Sequence, residues 1–303
     1  MAHAWADSTL ETYGAGLLAF HIFCDKYQIL EESRTPANTD LMLSFVSTLA
    51  GIYSGLAIRN YVSGVRAWHI LHRLSWDLDQ LAMDTIIKGV TSIAPASSKR
   101  PLRQPVTIAT LLTIRENLNL QDGRDAAIWA CATCLFYGVA RLGELTTKTL
   151  TSFDAATQVK RTNVSTQLDR NGLEVTAIFV PHTKAALDGE SICFAVHLDR
   201  TDPVAALQHH FELNNPSIAS GNAAEHLFTH TFKHSRVPLS RNVFLNRLKG
   251  LGHIIQQDTF TGHSFRIGGT LEYLLRGVPF ETVKYMGRWA SDAFKLYLRK
   301  HAQ

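Results

Sequence analysis

The residues with the clearest chemical potential are two arginines, a histidine, a tryptophan and a tyrosine, spread widely along the chain. Arg141 ends an apolar segment, His263 and Arg266 are three residues apart, and Trp289 and Tyr297 lie near the end. Guanidinium groups bind phosphate oxygens through paired hydrogen bonds, histidine carries protons near neutral pH, and a tyrosine hydroxyl is a nucleophile in covalent catalysis. In this order they suit attack by a tyrosine on a DNA phosphate.

Each of these residues also has an ordinary structural interpretation. Glu144 follows Arg141 by three residues, so the two share one helical face. Either the two residues form a structural ion pair, or the Glu144 carboxylate holds the Arg141 guanidinium in an orientation that binds phosphate. Tyr297 and Trp289 fit equally well as core residues with a polar edge. The combination of residues, rather than any single one, favours the catalytic interpretation.

One lysine lies where a sheet hairpin is predicted to turn. Lys184 follows Pro181-His182-Thr183, between two apolar stretches. It is either a solvated turn lysine or a residue that reaches into a bound duplex and donates a proton. The sequence leaves both interpretations open.

No metal or cofactor site is predicted. His226, His230 and His234 are spaced by four, but the residues between them favour strand and turn, and no cysteine or carboxylate completes a zinc set. Cys131 and Cys134 form a CxxC inside an apolar segment, which predicts two core residues. No phosphate-binding loop or dinucleotide fingerprint is present.

Composition limits the classes of protein that are possible. The 303 residues are 46% hydrophobic, with a net charge of +4 and a pI near 8.9, values that permit a full core and fit a nucleic-acid partner without requiring one. No apolar run approaches the ~20 residues that span a bilayer. The start lacks a secretory pattern and the chain has four cysteines, so an intracellular protein is expected.

Residues 1–95 are predicted to form a bundle of short helices. In the third helix, Ile58, Tyr61, Val65 and Trp68 form an apolar stripe. A second face carries Arg59, Ser63, Arg66 and His69. That face is either merely solvated or faces a phosphate backbone.

Residues 96–105 are predicted to be a basic linker. This segment contains Lys99, Arg100 and Arg103, together with two prolines, which stop helices. It either lies along DNA or is a solvated tether.

Residues 106–303 are predicted to form a mixed α/β domain. Short apolar segments between residues 150 and 194 are broken by Asn171-Gly172 and Asp188-Gly189, both of which are hairpin turn signals. Helices are expected before and after this small antiparallel sheet. The predicted fold class is therefore mainly α with a small antiparallel β-sheet.

Taken together, these motifs resemble the tyrosine recombinase (phage integrase) family over most of the chain. Residues 1–95 resemble its helical core-binding domain and residues 106–303 its catalytic domain. The matching positions are Arg141-Leu142-Gly143-Glu144 for the first arginine box, Lys184 for the hairpin lysine, His263-Ser264-Phe265-Arg266 for the His-x-x-Arg box, Trp289 for the His or Trp position, and Tyr297 for the nucleophile. The stretch from Gly287 to Phe294 is especially similar to eukaryotic mobile-element members of the fungal Crypton type.

Two features depart from the family pattern. Trp289 and Tyr297 are eight residues apart, where many bacterial and phage members have nine, and a local loop difference is expected. Six residues follow Tyr297, where many relatives continue with a helix that docks on a neighbouring subunit. Either the chain is truncated there or its subunit contacts differ.

The resemblance implies DNA cleavage and rejoining through a 3′-phosphotyrosyl intermediate formed by Tyr297, without metal or ATP. It implies that Arg141, Arg266 and Trp289 stabilise the phosphate, that Lys184 protonates the leaving 5′ oxygen, and that His263 assists proton transfer. It further implies duplex DNA as partner, self-association on DNA, a nuclear location, and integration or excision of a mobile element. Three alternatives stay open: relaxation of DNA in the style of a type IB topoisomerase, a silent DNA-binding derivative, and a helical scaffold without nucleic acid.

Overall fold

The protein is described here from a computed structural model, over residues 5–98, 103–169, 171–183, 186–197, 199–215, 224–255 and 261–289. The chain separates into two compact units, Met1–Leu102 and Arg103–Gln303. Four residues of the predicted site, namely Lys99, Arg100, Lys184 and Tyr297, lie outside the described residues. In the described part of the chain, no helix is long and apolar enough to cross a membrane.

The first unit is helical. Its helices are α1 (Asp7–Lys26), α2 (Glu31–Arg34), α3 (Thr39–Thr48), α4 (Gly55–Leu71) and α5 (Gln80–Ser92). Helices α1 and α4 approach closely at glycines, since a Cβ on Gly64 would lie 2.4 Å from the carbonyl oxygen of Tyr13. Aromatic and aliphatic side chains, including Phe20, Phe45 and Ile58, fill the core between the helices.

The second unit is built around one buried helix. Its helices are α6 (Ile108–Glu116), α7 (Gly123–Tyr137), α8 (Leu142–Leu145), α9 (Pro203–Leu213), α10 (Arg241–Lys249), α11 (Gly252–Ile255), α12 (Gly262–Leu275) and α13 (Phe280–Met286). Asp122 caps α7 by accepting from the amides of Arg124 and Asp125. From Asp125 onward every residue of α7 is buried, so this helix is the centre of the core.

Two small antiparallel sheets accompany these helices. The first has the order β1-β2-β3, with strands β1 (Val164–Leu168), β2 (Glu174–Val180) and β3 (Glu190–Ala195). Gly172 and Gly189 adopt positive φ angles of 76° and 81°, as the two turn signals predict. The second is a hairpin of β4 (His230–Phe232) and β5 (Ser235–Val237). The predicted fold class, mainly α with a small antiparallel sheet, is confirmed.

Helix α12 packs against α7 through two adjacent glycines. A Cβ on Gly269 would lie 1.9 Å from the carbonyl oxygen of Phe136, and one on Gly268 would lie 1.9 Å from that of Val106. Backbone contact this close is possible only without side chains. It places the first turn of α12 beside the end of α7, where the predicted site residues meet.

Candidate functional site

A chain reversal at the end of α7 positions the first arginine. The amide of Ala140 donates to the carbonyl of Leu135 at 3.0 Å and that of Val139 to Phe136 at 3.2 Å, the two bonds of a Schellman motif. Val139 takes the left-handed conformation, with φ +46°, which is rare for a β-branched residue. Backbone strain of this kind clusters at functional sites. It brings Arg141 to the start of α8.

Glu144 binds Arg141 through backbone and side chain together. Its Oε2 accepts from the Arg141 amide at 2.8 Å and its Oε1 from the Arg141 Nη1 at 2.7 Å. The side chain of Glu144 is 6% exposed and that of Arg141 is 30% exposed. The carboxylate is therefore buried behind the guanidinium, which keeps one side open to solvent.

A second arginine, Arg288, shares the Glu144 carboxylate. It follows α13 in the left-handed conformation, with φ +55°, and its Nη2 donates to Glu144 Oε2 at 2.5 Å. Its Nε lies 3.2 Å from Oε1 of Glu190, the first residue of β3. The Arg288 carbonyl accepts from Arg141 Nη2 at 3.4 Å. Arg288 thus joins α8, α13 and β3 at one point.

Arg266 lies on the first turns of α12 and is one of the largest fully buried side chains among the described residues. Its Nη2 donates to the carbonyl of Gly287, and its guanidinium carbon lies 4.2 Å from the ring centroid of Trp289. The residue is 1% exposed. In this conformation a phosphate would reach Arg141 first, and would reach Arg266 only after the groups that cover it move.

His263 is held in its neutral form. Burial lowers its pKa to about 4, and the positive charges of Arg103, Arg266 and Arg141 act in the same direction. A neutral imidazole accepts a hydrogen bond at physiological pH. The Arg103 effect also places this linker residue within electrostatic reach of His263.

The structure brings together most of the described residues of the predicted site. Arg141, Glu144, Arg266 and Trp289 are linked by the contacts above, and burial together with the charges of Arg266 and Arg141 lowers the pKa of His263. Lys184 and Tyr297 are predicted members on which the described residues give no geometry. Thr183, the last described residue before Lys184, donates through its hydroxyl to Glu190 Oε1 at 2.7 Å, so the β2–β3 hairpin is tied to the same network.

The predicted DNA-binding face of α4 is only partly on the surface. Arg59 and Arg66 are exposed, and the Ser63 hydroxyl donates to the Arg59 carbonyl at 2.9 Å. The prediction that His69 lies on this DNA-binding face is wrong, because its ring is fully buried. Its Nδ1 lies 2.8 Å from the Val65 carbonyl, and its Nε2 accepts from the Ala37 amide. Helical spacing placed His69 at the border of the two faces, and tertiary packing buried it.

Two residues of the site were not identified from the sequence. Arg288 was visible only as part of the Gly-Arg-Trp motif, and Glu190 only as a residue beside a predicted strand. Their roles depend on partners far away in the chain, because Arg288 and Glu144 are 144 positions apart. The only local signal for Arg288 was a charged side chain in a predicted turn. Its burial is visible only in the structure.

Cys131, Cys134, His226 and His230 occupy buried structural positions. Among the described residues, no group of three or more His, Cys, Asp or Glu side chains is placed to hold a metal ion. His226 and His230 are buried and lie outside any helix. Cys131 and Cys134 are fully buried in α7, where burial raises the pKa of both thiols. This confirms their interpretation as core residues.

Comparison with known proteins was informative at the level of structure. No protein-family model and no curated protein sequence matches the chain. A structure of XerH site-specific recombinase bound to palindromic difH substrate matches with a TM-score of 0.61 and 15% identity, over 95% of this chain and 75% of that one.

Two further structures match over nearly the whole chain. A lambda integrase dimer bound to a core site has a TM-score of 0.54 and 15% identity, over 97% of this chain and 72% of that one. The Tn1549 transposon integrase in complex with circular intermediate DNA has a TM-score of 0.54 and 12% identity, over 97% of this chain and 96% of that one. The chain is therefore similar in fold to tyrosine recombinases and integrases.

Proposed function

We propose that this protein is a tyrosine recombinase that cleaves and rejoins DNA at specific sites. The observation that carries the proposal is the convergence of Arg141, at the start of α8, with His263 and Arg266 of α12 at one site, in a chain with this fold. Two guanidinium groups beside a neutral imidazole suit a phosphate that gains negative charge in the transition state.

The chemical step begins with Tyr297. Its hydroxyl oxygen attacks the scissile phosphorus, a bond forms between them, and the bond from phosphorus to the 5′ oxygen breaks. The tyrosine proton passes to His263, whose pKa rises once the negatively charged phosphate lies beside it, and Lys184 donates a proton to the departing 5′ oxygen. The 3′-phosphotyrosyl bond conserves the free energy of the phosphodiester, so rejoining requires no ATP.

The arginines act on the non-bridging oxygens of the phosphate. The exposed part of Arg141 is available for direct contact, while Glu144 and the Arg288 carbonyl hold its other donors. Arg266 supplies a second cation once bound DNA has displaced the indole that covers it. Trp289, in its displaced position, donates its N–H to the phosphate.

Duplex DNA is held mainly through its backbone. We assign this role to the exposed Arg59 and Arg66 on α4, with Ser63 beside them, and to the basic linker residues Lys99, Arg100 and Arg103. Residues 1–95 then form a core-binding domain and residues 106–303 the catalytic domain. Binding through phosphates releases counterions and is strongly salt-dependent.

The biological setting that we propose is integration or excision of a mobile element of the Crypton type, in the nucleus, by a protein that self-associates on DNA. The likeness of fold to a transposon integrase on circular intermediate DNA supports the role in a mobile element. The likeness of fold to an integrase dimer on its core site supports self-association on DNA. Fluorescent fusions test the location, and sedimentation with and without DNA tests the association.

The deciding experiment traps the covalent intermediate. Nicked duplex DNA carrying the candidate element end is incubated with the protein in EDTA and analysed on a denaturing protein gel. A protein–DNA band that disappears in Tyr297→Phe, while DNA binding persists, is the expected result. A band that persists in Tyr297→Phe removes Tyr297 as nucleophile.

Two outcomes point to the alternatives. DNA binding without any band, repeated on a random-sequence pool, indicates a silent DNA-binding protein derived from a recombinase. A band on any sequence, with relaxation of supercoils by a monomer, indicates a topoisomerase of type IB style.

A further inference from the structure

One connected network of ion pairs and hydrogen bonds runs from the β2–β3 hairpin to Arg141. Thr183 donates to Glu190, Glu190 pairs with Arg288 at 3.2 Å, and Arg288 donates to Glu144 at 2.5 Å. Glu144 in turn holds both the amide and the guanidinium of Arg141. Arg288 is the link that joins the two carboxylates.

Arg288 occupies a backbone position that glycine favours. After α13, the amides of Arg288 and Trp289 donate to the carbonyls of Tyr285 and Lys284, which is a Schellman motif with Arg288 at the left-handed position. Glycine is the residue that this position favours, because a Cβ is strained there.

Those contacts are buried and geometrically specific. The Arg288 side chain is only 7% exposed, between Glu144 at 6% and Glu190 at 21%. Nη2 donates a hydrogen bond to Glu144, and Nε lies 3.2 Å from Glu190 as an ion pair without hydrogen-bond geometry. The fixed fork of a guanidinium allows this, whereas a lysine offers a single ammonium.

We propose that Arg288 is a positioning residue that holds Arg141 and the β2–β3 hairpin in one arrangement by binding Glu144 and Glu190 at the same time. Arg288 itself does not contact the phosphate, because Nη2 donates to Glu144, Nη1 donates to the Met286 carbonyl and Nε lies beside Glu190. On one side it fixes the position of Arg141. On the other side, through Glu190 and Thr183, it fixes the start of the loop between β2 and β3, where Lys184 follows Thr183 in the sequence. This inference rests on the proposed function, since the positioned groups are those of the proposed reaction.

Arg73 offers a matched control. It occupies the same left-handed position of a Schellman motif at the end of α4, with φ +57° and amide bonds from Arg73 to Ile70 and from Leu74 to His69. Arg73 is exposed and forms no ion pair among the described residues. Arg73→Gly and Arg288→Gly therefore make the same chemical change in the same backbone conformation, with and without the network.

The experiment measures single-turnover formation of the covalent adduct and, separately, the Kd for the same DNA, in full-length protein. Arg288→Gly is expected to slow cleavage by about 10- to 100-fold, the effect of a misplacement of roughly 1 Å at a reacting centre. The Kd is expected to stay near that of Arg73→Gly. The thermal midpoint is expected to fall further, because Glu144 loses a buried partner, so cleavage is compared at a temperature at which both variants are folded. Arg288→Lys is expected to recover only part of the rate, since it can satisfy one carboxylate.

A double-mutant cycle tests the linkage itself. If Arg288 acts through Glu190, then Glu190→Gln slows cleavage, and the double variant is little slower than Arg288→Gly alone. Full cleavage rate in Arg288→Gly, or additive effects of the two substitutions, overturns the inference. The proposed function fails in a different way, because then the wild-type protein forms no adduct lost in Tyr297→Phe.

Discussion

The guanidinium of Arg266 lies beneath the indole of Trp289, with its central carbon 4.2 Å from the ring centroid. A cation over an indole face is stabilised by about 0.5–2 kcal/mol, more when water is excluded. The contact stabilises the buried charge of Arg266. In the proposed reaction Trp289 therefore has two separable roles, one for its ring face and one for its N–H.

Replacement of Trp289 by phenylalanine separates those roles. Trp289→Phe keeps an aromatic face for Arg266 but removes the N–H donor. If that donor binds the phosphate, cleavage slows by about 10- to 100-fold, the loss of a hydrogen bond to a charged group worth ~1.5–3 kcal/mol. Single-turnover adduct formation measures this. A wild-type rate in Trp289→Phe, with a slow rate in Trp289→Ala, would assign the role to the ring face alone.

Removal of the Glu144 carboxylate is expected to destabilise the protein strongly. Glu144→Ala leaves the largely buried Arg288 and the amide of Arg141 without their partner, and breaking a buried pair costs about 3–5 kcal/mol. Glu272→Ala is the control, because Glu272 pairs with Arg276 at 2.7 Å, the same distance as between Glu144 and Arg141, but at a more exposed site. This substitution is expected to lower the free energy of unfolding by about 0–1 kcal/mol. Urea unfolding measures both, and equal losses would contradict the expectation.

The glycine contact between α12 and α7 predicts a clash on substitution. Gly269→Ala places a Cβ 1.9 Å from the Phe136 carbonyl oxygen, which forces the helices apart and costs about 1–3 kcal/mol or more. Gly89→Ala in α5 is the control, because its Cβ would meet nothing within 4 Å. That change is expected to stabilise by about 0.5–1 kcal/mol. The expected result is a lower unfolding midpoint for Gly269→Ala and a higher one for Gly89→Ala, each relative to the wild-type protein.

His263 is expected to titrate far below an ordinary histidine. Burial and the nearby arginines lower its pKa to about 4, so its imidazole stays neutral across about pH 6 to 8. NMR titration of labelled histidine measures this directly. Arg141→Gln removes one of the three cations and is expected to raise the pKa of His263. A pKa near 6.5 in the wild-type protein would contradict the neutral assignment.

Two buried histidines predict loss of stability in acid. Burial lowers the pKa of His210 to about 3 and that of His226 to about 4. The unfolded chain binds protons at both below about pH 6.5, while the folded chain does not. Stability is therefore full above that pH and falls as the pH drops toward 4, by about 1.4 kcal/mol per pH unit for each histidine. Urea unfolding at several pH values measures the slope.

A substitution at one of these histidines tests the cause. His210→Gln is expected to lower stability at neutral pH, because it disturbs the contacts of the ring with Leu227 and Asn214. It is also expected to reduce the dependence of the free energy of unfolding on pH, since one fewer proton is taken up when the chain unfolds in acid. His21→Gln, on the exposed side of α1, leaves the slope unchanged. An unchanged slope in His210→Gln would mean that other groups cause the acid loss.

The sequence by itself determined the elements of this protein. Asn171-Gly172 and Asp188-Gly189 turn the sheet as predicted, and Asn38 and Asp122, residue types that favour the N-cap position, cap α3 and α7. Such signals act within a few residues, so they can be read without knowledge of the fold. The spacing of His263 and Arg266 likewise fixed them to one side of α12.

Only the tertiary structure decided which charges meet. Arg288 reaches Glu144 across 144 positions, and nothing local to either residue predicts that pair. His69 shows the same limit, because its helical spacing permits exposure while packing against Ala37 buries it. Local structure follows from short-range sterics and hydrogen bonds. The partners of buried charges follow instead from how the elements pack, which here depends on the glycines that let α12 approach α7.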